Sequence, residues 1–212
     1  MYKNIGDILM LKKEKANYYI VKKNNAVTTT WSGGTTTELF IYPKESDYTK
    51  RDFLIRVSTA TVDTFESSFT SLPGFKRYIM PLSGSLTLNH NGHYKTTLKP
   101  YNVDNFLGEW DTTSFGKCID FNLIINERYT GNITALKGVI RKDINLNQFN
   151  LFYSPHSKSE IEIITKNEQP IKEILEKDDI MIFENNKNFT KDQCQLQIKS
   201  EVCIYINAHN II

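Results

Sequence analysis

Long apolar runs are missing from this 212-residue chain. No stretch approaches the roughly 18 consecutive apolar residues that would read as a membrane-spanning helix. The opening MYKNIGDILMLKKEK is too short and too polar for a secretory signal. Charge of one sign is missing as well: 26 Lys and Arg stand against 24 Asp and Glu, a formal charge of +2. That balance speaks against a nucleic-acid or membrane-surface binder, which would concentrate a basic face. The mild lysine clusters, Lys12, Lys13, Lys15 and then Lys22, Lys23, read as solvated residues. Cysteine is scarce: Cys118, Cys194 and Cys203 are an odd number with no CxxC spacing. Free thiols in a reducing cytoplasm are the expectation.

The sequence also lacks the local signatures of common chemistry. There is no GxxxxGK[ST], no GxGxxG and no GxSxG, and no cysteine sits in a Cys/His setting. Four histidines are present, His90, His93, His156 and His209. His90 and His93 flank a hairpin turn, where side chains are expected to be wet and structural in role. A two-His-one-carboxylate site would need ligands converging from interior strand positions. No metal and no cofactor are therefore expected.

What the sequence does contain is short strands and turns. TELFIYP, DFLIRVSTATV, FKRYIMPL, GSLTLNHNGHYKTTL and CIDFNLII are rich in β-branched and aromatic residues. Asn91-Gly92 between LTLNH and HYKTTL predicts a two-residue hairpin. Turn signals every 8–12 residues predict a sandwich or barrel. After Asn126, ERYTGNITALKGV reads as a crossing linker, and LFYSP, EIEIITK, IMIFEN, CQLQIKS and VCIYINA resume the strand rhythm. The halves rhyme in pattern, so two degenerate copies of one β unit are expected, 1–126 and 127–212. The candidate helices are QPIKEILE and one within the first 15 residues; EILEKDDIMIF reads equally as strand–turn–strand.

One stretch, TTTWSGGTTTELFIYP (Thr28–Pro43), interrupts a β-prone run with Trp31 and two glycines. A phosphate cradle, a tight corner and a gap for a small ligand are the three readings; without a following helix the tight corner at Gly33 and Gly34 is preferred. Alternation then singles out polar side chains. In DFLIRVSTA, Arg56 and Ser58 share a face opposite Ile55 and Val57. Asp120 and Asn122 share one in CIDFNLII, and Thr36 with Glu38 in GTTTELF. In a closed β unit these faces converge on a polar-lined hollow. Arg56 offers a planar fork for a carboxylate, with Glu38 or Asp120 as its counter-charge.

The strings WSGGTTTEL, DFLIRVSTATV, SFTSLPGFKR, PLSG, FLG and DFNL occur in an order and spacing that resemble the HutD/Ves family. The match is firm over about Thr28–Glu127. The resemblance implies an all-β bicupin, two jelly-roll halves packed together. It places the family's recurrent polar positions on Thr36, Glu38, Arg56, Ser58, Arg77, Asp120 and Asn122. It implies no assigned reaction: one branch accompanies histidine utilisation and is thought to sense or buffer an intermediate, and the other is named for stress induction. The chain departs from the family where the Trp-to-Glu loop is two residues shorter and where Glu109 follows Gly108. The strand histidine motif of metal-binding cupins is absent.

The resulting expectation is a metal-free protein that binds a small carboxylate metabolite, with no nucleic-acid or membrane partner; self-association as a homodimer stays open. A metal-independent isomerase or hydrolase, using Glu38 or Asp120 as base and Arg56 to hold the anion, is the alternative. A β scaffold whose interior is packed shut is the third reading.

Overall fold

The structure is a computed structural model that describes residues 18–164, 169–184 and 194–211. Among these residues there is no α-helix, and no helix is long and apolar enough to cross a membrane. In chain order the strands are β1 Tyr18–Val21, β2 Val27–Trp31, β3 Gly34–Tyr42, β4 Ile55–Val62, β5 Glu66–Ser68 and β6 Phe75–Gly84. There follow β7 Leu86–His90, β8 Tyr94–Leu98, β9 Asp104–Leu107, β10 Thr112–Phe115, β11 Cys118–Asn126 and β12 Tyr129–Ile144. The series ends with β13 Phe149–Tyr153, β14 Ser159–Ile164, β15 Ile171–Leu175, β16 Ile180–Phe183 and β17 Cys194–Asn210.

Two units form. One holds Val27–Ile133 with Asn210 and Ile211; the other holds the described residues of Thr134–His209 and those up to Ala26. In the first, a six-stranded sheet runs β2-β3-β4-β11-β6-β9 and a four-stranded sheet runs β5-β10-β7-β8. Apolar side chains from both sheets, among them Val62, Ile79, Leu86, Leu88 and Phe106, pack into one cluster. Each such buried side chain contributes about 1.5–3 kcal/mol. In the second, one sheet runs β1-β16-β13-β17-β14-β15 with β12 on β17, over a core that includes Phe152, Ile163, Leu196 and Tyr205.

Several local expectations change. The 127–139 stretch read as a linker falls, from Tyr129 on, within a 16-residue strand, β12, because Ile133, Leu136 and Ile144 find buried positions along it. IKEIL is a strand and not a helix: Leu175 is buried, and the chain turns at 177–178 into the wholly buried β16. The other helix candidate lies outside the described residues. The β7–β8 hairpin has three loop residues, Asn91, Gly92 and His93, because His90 pairs with Tyr94; Gly92 alone takes positive φ.

Candidate functional site

Register, more than any single motif, assembles the site. Across the six-stranded sheet, Thr29, Thr36, Ala60 and Asp120 are successive partners from β2, β3, β4 and β11. Two residues along, Glu38, Ser58, Asn122 and Ile79 make a second row. A third row holds Ile41, Arg56, Ile124 and Arg77. Neighbours within a row are about 4.8 Å apart and rows on one face about 7 Å apart, so every side chain here reaches the next. A bulge between Glu38 and Phe40 lets Glu38 and Ile41 fall on consecutive rows.

These rows floor a cavity of about 330 Å³. Thr36, Arg56, Ser58, Arg77, Asp120 and Asn122 line it, and Glu38 alone of the sequence-predicted set does not. Both faces of β4 are buried, so Arg56 and Ser58 face the interior and not solvent. The packed-shut reading is excluded for this unit.

The two arginines differ. Arg56 donates from Nε to Glu38 Oε2 at 2.8 Å and from Nη1 to Ser58 Oγ at 3.3 Å, with its guanidinium 4.3 Å above the Tyr48 ring. Glu38 is therefore the counter-charge, standing behind Arg56. Arg77 is 8% exposed and stacks its guanidinium 4.5 Å from the Phe69 ring centroid. It donates from Nη1 to the Thr70 carbonyl at 3.3 Å, and its buried Nε has no acceptor. Among the described residues it makes no ion pair. Burial lowers its pKa to about 10, so it stays charged at neutral pH.

Asp120 is the second unusual group. It is 4% exposed and accepts a hydrogen bond from Asn122 Nδ2. Desolvation pushes its pKa up from 3.8 to about 7, against the opposing pull of that bond and of Arg77. With Arg56 paired to Glu38, and Asp120 carrying only part of a negative charge near neutral pH, the positive charge of Arg77 is incompletely compensated in the cavity.

The glycine corner closes one end. Gly34 takes φ +152, and a Cβ there would lie 1.8 Å from the Thr61 carbonyl oxygen. A Cβ on Gly33 would meet the Trp31 ring at 2.1 Å. The glycines thus allow β3 to approach β4 and let the indole lie across the turn, which is the tight-corner reading.

The histidines need one correction. His90 is 1% exposed and not wet: its ring nitrogens sit 2.8 Å from Thr112 Oγ1 and 2.9 Å from Asp104 Oδ2, within contact of Phe106 and Trp110. A hairpin-end position hides from sequence the aromatic groups that fold over it. His93 stacks on Trp110 at 3.8 Å. Among the described residues no group of three or more His, Cys, Asp or Glu could hold a metal ion. Cys118 and Cys203 are buried, and desolvation drives both thiols to about 12.

Sequence reasoning missed the walls that loops and the second sheet supply: Tyr48, Phe69, Thr70, Ser67 and Ser114. Local periodicity carries no signal for them, because their approach is set by tertiary pairing.

The HutD family model matches residues 23–204. No curated protein matches the sequence. Among solved structures, HutD from Pseudomonas fluorescens SBW25 is similar with TM-score 0.73 and 22% identity, over 91% of this chain and 98% of that one. A conserved protein of unknown function from Pseudomonas aeruginosa PAO1 is similar with TM-score 0.76 and 19% identity, over 92% and 100%. An oxalate decarboxylase from Lactobacillus farciminis gives TM-score 0.62 at 5% identity, over 89% and 85%. At these identities the likeness carries fold alone: all-β and cupin-like, as in bicupin oxalate decarboxylases, which is the fold expected from sequence.

Proposed function

The chain belongs to the HutD family, and from that premise we propose that it is a non-catalytic binding protein for a small carboxylate metabolite. Arg77 is the anchor for the anion and Arg56 its second cation. Thr36, Ser58, Asp120 and Asn122 supply hydrogen bonds, and Glu38 orients Arg56. Held this way, the metabolite would regulate or buffer amino-acid catabolism, that of histidine in the branch the sequence resembles, or a stress response. The observation that carries the reading is the buried, charged and unpaired Arg77 beside a 330 Å³ cavity. An uncompensated buried charge is costly, and a bound carboxylate would satisfy it bidentately. The volume suits a small metabolite.

The test is thermal and chemical unfolding with a panel of small carboxylates. Formate belongs in it, since the P. fluorescens HutD structure was obtained in a formate condition and the L. farciminis enzyme as a formate complex. An acid present at 100 times its Kd should raise stability by about 2.7 kcal/mol. Arg77→Gln should abolish that gain. A panel that leaves the wild type unmoved, or an undiminished gain in the variant, overturns the reading.

One observation favours the alternative, a metal-independent isomerase or hydrolase. Asp120 is poised near neutrality and is held by Asn122, not by an arginine, as a general base requires. Glu38 is tied up by Arg56 and drops out of that role. Turnover of any bound acid that stops in Asp120→Asn, while binding persists, would replace the receptor reading.

A further inference from the structure

Resting on the carboxylate reading above, we propose that the ligand is a monoanion carrying a second, neutral acceptor at its far end, a carbonyl or carboxamide, which takes the indole N–H of Trp31. Three buried side-chain nitrogen or oxygen atoms among the described residues lack a partner: Arg77 Nε, Trp31 Nε1 and Asn147 Oδ1. The first two belong to residues that line the same cavity. Donors buried without acceptors are rare in folded proteins, and two around one hollow suit a ligand with two acceptors.

Register places the two donors apart. Arg77 belongs to the row of Arg56, whereas Trp31 pairs with Gly34 and through it with Val62. Arg56 and Val62 are six residues apart on β4, on the order of 20 Å along the strand before the long Arg and Trp side chains reach inward. The benzo atoms Cζ3 and Cη2 of Trp31 occupy the space over Gly33. The pyrrole N–H is on the other edge of the indole. Between the two donors lie Ser58, Asn122, Thr36 and Asp120, a polar path for an extended chain.

Charge decides the chemistry of the far end. Among the described residues, Arg56 and Arg77 are the only cationic side chains in the lining, and Glu38 already neutralises Arg56. Asp120 shares the lining with Arg77, so no more than one ligand charge is balanced there. A second carboxylate at Trp31 would find a neutral donor and no cation, and it would be desolvated without compensation. A neutral carbonyl oxygen accepts from the indole at no such cost.

The experiment compares three linear series by calorimetry: alkanoates, dicarboxylates, and the half-amides of the same dicarboxylic acids. The wild type is expected to bind half-amides at least tenfold more tightly than the isosteric alkanoate, with an optimum in chain length, and to bind dicarboxylates more weakly than half-amides. In Trp31→Phe, which replaces the indole by a smaller aromatic ring without an N–H, the half-amide to alkanoate ratio should fall to near one. Equal wild-type affinity for half-amides and alkanoates overturns the inference, and so does a ratio that survives Trp31→Phe; in both cases the carboxylate reading stands. If no monocarboxylate of any series binds, that reading falls and takes the inference with it. The wild-type comparison needs no variant, so a Trp31→Phe protein that fails to fold leaves the test intact.

Discussion

Gly34→Ala should cost about 3–5 kcal/mol in urea unfolding, whereas Gly74→Ala should cost about 1–2 kcal/mol. Both glycines have positive φ, +152 and +79, so both substitutions incur a conformational penalty. Only at Gly34 is there a collision. Its new methyl would fall 1.8 Å from a backbone oxygen, that of Thr61, while nothing lies within 4 Å of the corresponding position at Gly74. A flexible side chain could swing away; a carbonyl inside the β3–β4 ladder cannot move without breaking register. The damage would therefore spread to Thr36 and Glu38, which sit on the same strand, and loosen the Glu38–Arg56 pair. Equal losses in the two variants would show that the close approach at the corner is not what these residues are for.

The second large effect is on pH. The folded pKa of Asp120 is about 7, above the ordinary 3.8 that the unfolded chain restores. Between those values the folded state holds a proton that the unfolded state has released. Stability from this group is thus fully present below about pH 4 and is lost as pH rises toward 7, by on the order of 4 kcal/mol at most. Asp120→Asn has no proton to lose. The difference in unfolding free energy between wild type and variant should swing toward the wild type as pH is lowered from 8 to 4. Parallel profiles would mean that the carboxyl is solvated or fully paired in the folded protein.

Much of this site could be read from alternation. Period two placed Arg56 with Ser58 and Asp120 with Asn122 on shared faces, and antiparallel pairing needed only to set those strands side by side. Arg77 was accessible through family resemblance but not through periodicity, since FKRYIMPL is apolar on both faces and offers no contrast to mark it. The unequal roles of the two arginines were not legible at all. They depend on a bulge between Glu38 and Phe40 that brings a carboxylate to Arg56, and on a loop that brings Phe69 and Thr70 over Arg77. For the same reason His90 looked exposed: the residues that cover it, Phe106 and Trp110, come from 16 and 20 positions later.

The grouping of β1 with the later part of the chain has a bearing on how the polypeptide comes off the ribosome. Tyr18–Val21 pairs with Ile180–Phe183, and Lys22 and Lys23 clasp Asp179 and Asp178. Those partners are translated more than 150 residues later than the strand they receive. Val27–Ile133, nearly all of the first unit, is complete much sooner, while the leading strand waits for its partner, a long-range closure of the slow kind.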